Sequence, residues 1–152
     1  MTATTSTNLS VDELKQLAAS PEETQSQLGN VLLALASADE EVRAWASDCL
    51  AQIECVSSDG ANAVKQYCKH AAAPVASWAC KLLAKCQPSA PEFERLICEA
   101  MDNHESIAVR AEAAGALGRL EQLSPQTRQL LEKAAENEDA RLSRLASRAL
   151  DR

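Results

Sequence analysis

Aromatic residues are nearly missing from this chain of 152 residues: two tryptophans, one tyrosine and one phenylalanine, 3% of the total. Sheets draw on aromatic and β-branched side chains, so a core without them argues against a sheet protein. Glycine and proline are scarce too, at four and five, which leaves room for long helices. The apolar residues that remain are mostly Ala, Leu, Val and Cys. Helices with small residues on the packing face approach closely, and such a composition suits them. No apolar run approaches the length that spans a bilayer. The opening MTATTSTNLS has neither a basic nor an apolar region, so no signal peptide is expected and the cytoplasm is the expected compartment. In that setting the six cysteines read as reduced thiols rather than a disulfide framework.

Basic charge is also in short supply. The formal net charge is −7. Residues 1–60 hold ten acids and two bases, residues 61–90 four lysines and no acid, and residues 91–152 twelve acids and nine bases. A phosphate backbone calls for clustered Lys and Arg. The lysines Lys65, Lys69, Lys81 and Lys85 fall on two different helices, so neither a nucleic acid nor a membrane is the expected partner.

An internal repeat is what the chain does have. The segments starting at Val42, Val75, Val109 and Leu142 lie 33, 34 and 33 residues apart. Their fifth position is always alanine (Ala46, Ala79, Ala113, Ala146) and their ninth always leucine (Leu50, Leu83, Leu117, Leu150). The sixth is small throughout: Ser47, Cys80, Ala114, Ser147. Positions 1, 5, 8, 9 and 12 share one face at 3.6 residues per turn, so each segment reads as an amphipathic helix, helix B. Asp39, Ser106 and Asp139 stand where an N-cap belongs, and Pro74 sits at the second start. Upstream, Val31, Val64, Ile97 and Leu130 form a second series at spacing 33, and Leu35, Cys68, Met101 and Ala134 another; these mark helix A. A short helix over residues 11–20 caps the first hairpin.

One hairpin cannot bury its apolar face alone, but a stack can. The expected fold is therefore an all-α, right-handed α-α superhelix of about four helical hairpins plus an N-terminal capping helix. Residues 1–8 read as a disordered tail and 9–152 as a single domain, with repeats at 22–55, 58–87, 90–121 and 124–152. The motifs Asp39-Glu40-Glu41-Val42-Arg43 and Val109-Arg110, with Ala113, Ala114, Leu117 and Gly118 after them, resemble HEAT repeats. They look most like the short, bacterial kind related to phycobiliprotein lyases. That resemblance implies a scaffold or regulator, or an accessory subunit in attaching a bilin or another cofactor.

Deoxyhypusine hydroxylases share the architecture, and the resemblance implies His-Glu iron ligands at positions 3 and 4 of each B segment. Here those pairs are Ala44–Trp45, Ser77–Trp78, Ala111–Glu112 and Arg144–Leu145. Only Glu112 is present, and a metal site needs several convergent ligands. His104–Glu105 precedes the third B helix and reads as a solvated turn. Cys49, Cys68, Cys80 and Cys86 take positions held elsewhere by apolar residues, so they read as buried hydrophobes. No catalytic set, metal or cofactor site follows.

Trp45 and Trp78 share position 4, about 85° from the centre of the apolar face. Stacked helices lie about 8–10 Å apart, so the indoles are placed either for packing between repeats or for a binding patch. Beside them the exposed B positions are expected to be Ala44, Asp48, Ser77, Lys81, Ala111, Glu112, Gly115, Arg144 and Arg148. Arg141, Arg144 and Arg148 read equally as a polar cap on the last repeat. The expected function is a non-catalytic protein-interaction or scaffold module. It would present Trp45, Trp78, Asp48, Lys81 and Glu112 on the concave B-helix face to a protein or peptide, as a monomer.

Overall fold

The computed structural model describes residues 9–87 and 89–151; the tail expected at 1–8 lies outside them. The chain divides into two compact units between Glu54 and Cys55. The fold is all-α, built of helical hairpins.

The first unit holds α1 (Val11–Ala18), α2 (Pro21–Ser26), α3 (Leu28–Ala34) and α4 (Glu40–Ala51). Ser10 and Glu13 form a reciprocal capping box that starts α1. Leu14 and Leu17 on its inner side are buried, and α1 packs on α4 as the expected cap over the hairpin. The first A helix is not continuous. Gln27, with φ −126° and ψ 24°, separates α2 from α3. Thr24 explains the offset: its hydroxyl is buried and donates to the Leu17 carbonyl at 2.8 Å, tying α2 to the end of α1.

In the second unit, α5 (Ser58–Val64) runs into a 3₁₀ helix (Lys65–Lys69). The elements α6 (Ala73–Ala84), α7 (Pro91–Asn103), α8 (Ile107–Leu117), α9 (Pro125–Ala135) and α10 (Ala140–Leu150) follow. The B helices α6, α8 and α10 pack side by side as one layer. The 3₁₀ helix, α7 and α9 form the other, each against the B helix of its own repeat.

The register sets the core. Ala46, Ala79, Ala113 and Ala146 are all completely buried. So are Leu50, Leu83 and Leu117, whereas Leu150 in the last turn is half-buried. Alanine at position 5 lets neighbouring helix axes close in, and the leucine at position 9 fills the space opposite. Truncating one such leucine to alanine costs about 2–5 kcal/mol in comparable cores. Asp39, Ser106 and Asp139 cap α4, α8 and α10 through their side chains, as placed from sequence. The last A helix departs from the expected register. Leu131 is fully buried and Leu130 only half, because the inward stripe of α9 is Thr127, Leu131 and Ala134. Thr127 fixes that rotation, bonding to Cys98 and Glu94 on α7.

Candidate functional site

The turn from helix A to helix B is built the same way in every repeat. Ser37, His70, His104 and Asn137 each lie five residues before position 1 of the B segment. Each side chain accepts the backbone N–H two residues on, at 2.9–3.0 Å. In His104 the accepting atom is Nδ1, so Nε2 carries the proton and donates to the His70 carbonyl at 2.9 Å. The histidine that reads as solvated in sequence is thus half-buried and structural. A second set of bonds closes the same turn from position 2 of helix B. Arg43 donates to the Ser37 carbonyl, Arg110 to Met101 and Ser143 to Ala135. These side chains hold carbonyls left over at or just past the end of helix A.

With the turns fixed, the B helices present their outer faces at defined angles. On α6, Trp78 is half-buried. Lys81 Nζ lies 4.6 Å and Lys85 Nζ 5.9 Å from its ring centroid, within cation–π reach. Lys81 also meets Glu112 on α8 at 3.2 Å, and Arg141 on α10 meets the same carboxylate at 2.8 Å. Trp78, Lys81, Glu112 and Arg141 therefore form one chain of contacts across three B helices. Glu112 is only 17% exposed and Lys81 26%, so these pairs are less screened than free surface ones. Of the residues picked from sequence, the structure brings Trp78, Lys81 and Glu112 together. Lys85 and Arg141 complete the group.

Trp45 and Asp48 belong to the first unit, one turn apart on α4. Trp45 is half-buried, with Lys15 Nζ of α1 at 5.6 Å from its ring; Asp48 is exposed. Both tryptophans thus carry a lysine on the ring face. Two positions expected to be exposed are not: Ser77 is 9% exposed and Ala111 only 1%. The cause is lateral packing. α8 has helices on three sides, α6, α7 and α10, so its buried arc is wider than the arc of an isolated hairpin and takes in position 3. On the last B helix the same position, Arg144, is exposed.

The thiols have been drawn into the core. Cys49, Cys68, Cys80, Cys86 and Cys98 are buried, and Cys55 is exposed. A hydrogen bond with Cys68, together with burial, pushes the Cys80 thiol well up. Burial first, then nearby carboxylates, raises Cys49 and Cys98. Burial likewise raises Cys86. A raised thiol holds less thiolate, the reactive form. Among the described residues no three His, Cys, Asp or Glu side chains converge as metal ligands would. The one survivor of the iron-ligand pattern, Glu112, is engaged by two cations.

A groove of about 1000 Å³ runs between α7 and α9, on the A-helix side of the second unit. Its carboxylates are already engaged. Glu92 pairs with Lys65, Glu99 with Arg95 and Lys69, and Asp102 with Lys133. Glu94 accepts from the Thr127 hydroxyl and the Ser124 N–H. Burial works to raise Glu94, but these hydrogen bonds outweigh it and hold the carboxyl below its ordinary range. Among the described residues no helix is long and apolar enough to cross a membrane.

No curated protein matches the chain. Among solved structures, a designed armadillo repeat protein in complex with the peptide (KR)4 is similar over 93% of this chain and 72% of that one. The identity is 19% and the TM-score 0.48. A family model described as HEAT repeats matches residues 61–151, more than half of the sequence. With the alanine and leucine register buried as such repeats require, the chain belongs to the HEAT repeat family.

Proposed function

We propose that this protein is a non-catalytic protein-interaction module that receives a protein or peptide segment on its B-helix face. The observation that carries this reading is Trp78: a half-exposed indole on an otherwise aromatic-poor chain, held by Lys81 and Lys85 and braced through Glu112 to α10. A large side chain fixed before binding loses little entropy on binding, and tryptophan is enriched among residues that dominate interface energy. Asp48 and Trp45 of α4 offer a second contact area of the same type. Raised thiols and an engaged Glu112 support a binding role over chemistry. We place the module in a reducing cytoplasm, where its thiols persist. An accessory role in chromophore or cofactor attachment has only the repeat resemblance behind it, and no feature of the site adds to it.

The test is quantitative affinity capture with the wild type and the Trp78→Ala variant, both checked for helicity. The reading expects at least one protein whose recovery drops about tenfold or more, the size of an interface hot spot. Identical recoveries from the two baits would contradict it.

A further inference from the structure

The kind of segment received can be read from the ridge of the second unit. Positions 4, 7 and 11 of a B segment fall within about 60° of each other on a helix. On and just past α6 they are Trp78, Lys81 and Lys85; on and just past α8 they are Glu112, Gly115 and Arg119; on α10 they include Leu145 and Arg148. The middle helix thus lacks a side chain at position 7, between Lys81 and Arg148 on its two neighbours. A Cβ placed on Gly115 would meet Leu145 Cδ2 at 3.8 Å and Cδ1 at 3.9 Å, ordinary contact, so a small side chain fits there and Leu145 borders the bare backbone. The result is a low point in the ridge bordered by Leu145, with Lys81 and Arg148 at the same position on the two neighbouring helices and Trp78 against Lys81.

The ridge and its flank carry six cations, Lys81, Lys85, Arg119, Arg141, Arg144 and Arg148, against Glu112 within it and Glu121 and Asp151 close in sequence to Arg119 and Arg148. Glu112 is bridged to both Lys81 and Arg141, so it repels an incoming anion weakly. Arg119, Arg144 and Arg148 are exposed. This basic surface sits on a chain of net charge −7. We infer that the segment received here is an acidic polypeptide stretch that lays one apolar side chain on the low point at Gly115, beside Leu145. The inference rests on the B-face reading above and adds the chemical class of the partner. A nucleic acid is the less suited polyanion. Its dense phosphates meet a chain that repels them at long range, and the ridge has a carboxylate at its centre.

The experiment uses the full chain and a random 12-residue peptide library displayed on phage, selected at low salt. Recovered peptides are measured by fluorescence anisotropy. A single-stranded oligonucleotide of equal length serves as a second probe. The expected result is a pool enriched in Asp and Glu around a large apolar residue. Affinity should fall at least tenfold for the Arg119→Glu, Arg148→Glu double variant and for Gly115→Gln, and fall with added salt. Gly115→Gln should keep the wild-type melting temperature within a few degrees, since its Cβ has room. Neutral or basic peptides that still depend on Gly115 and Trp78 would overturn the acidic class and leave the B-face reading standing. Acidic peptides indifferent to every ridge variant, or an empty pool, would overturn both. Tighter binding of the oligonucleotide through the same residues would replace the polypeptide with a nucleic acid.

Discussion

Single residues in this chain do different work at equivalent-looking positions. Gly115 and Gly118 are one helical turn apart on and beside α8, yet only one has space. A Cβ on Gly118 would stand 3.3 Å from Ala149 Cβ and 3.4 Å from Ala149 Cα, atoms that cannot swing away. Gly118→Ala should therefore push α8 from α10 and cost about 1–3 kcal/mol. Gly115→Ala should gain up to about 1 kcal/mol from helix propensity. Urea denaturation of the two variants checks the opposite signs. His104 gives a second contrast. Asn137 makes the same turn bond with an amide oxygen, so His104→Asn should keep that bond and lose only the one to the His70 carbonyl, while His104→Ala loses both and should be less stable than the Asn variant by about 1 kcal/mol. Equal midpoints for Asn and Ala would contradict the turn assignment. This ladder was readable in principle, since its members recur at 33, 34 and 33. It escapes a search by similarity because Ser, His and Asn share only an acceptor atom.

At the scale of elements, the B helices were the most legible part, for a physical reason. An invariant alanine and an invariant leucine at fixed offsets leave one packing geometry, and those positions are buried in every repeat except at Leu150 in the last turn. Ala113→Leu should be among the most damaging changes, with overpacking costs of about 1–3 kcal/mol or more; thermal melts measure it. The A helices were less legible because tertiary bonds adjust them. Thr24 breaks the first one, and Thr127 rotates the last. Neither threonine breaks the apolar pattern enough to show this in sequence. The α7–α9 contact also carries a pH dependence. The Glu94 carboxyl is lowered in the folded state. Its contribution is complete above the ordinary carboxylate pKa and is lost as pH falls below it. Glu94→Gln should therefore be less stable than wild type at neutral pH, and the gap should narrow in acid. A gap that stays constant down to strongly acidic pH would contradict the assignment.

For the whole molecule, sequence placed Trp45, Asp48, Trp78, Lys81 and Glu112 together on a concave B-helix face; the structure joins Trp78, Lys81 and Glu112. It did not foresee that Ser77 and Ala111 would be covered. Helix arithmetic treats each helix alone, whereas packing against neighbouring helices widens the buried arc. Arg141, Arg144 and Arg148 on the last helix fit a polar end, and with α1 covering the first hairpin a monomer is expected. Light scattering should return the mass of a single chain. Charge is the other property of the whole. An acidic protein with a basic ridge should bind its partner less well as salt rises, because partly exposed charges are screened beyond about 10 Å at 0.1 M. The central claim is that binding occurs on the ridge around Trp78, and amide chemical-shift mapping with a captured partner or selected peptide tests it most directly. Shifts clustered on Trp78, Lys81, Glu112, Gly115 and Arg148 are the predicted result; shifts confined to α7 and α9, with the ridge unmoved, would contradict it.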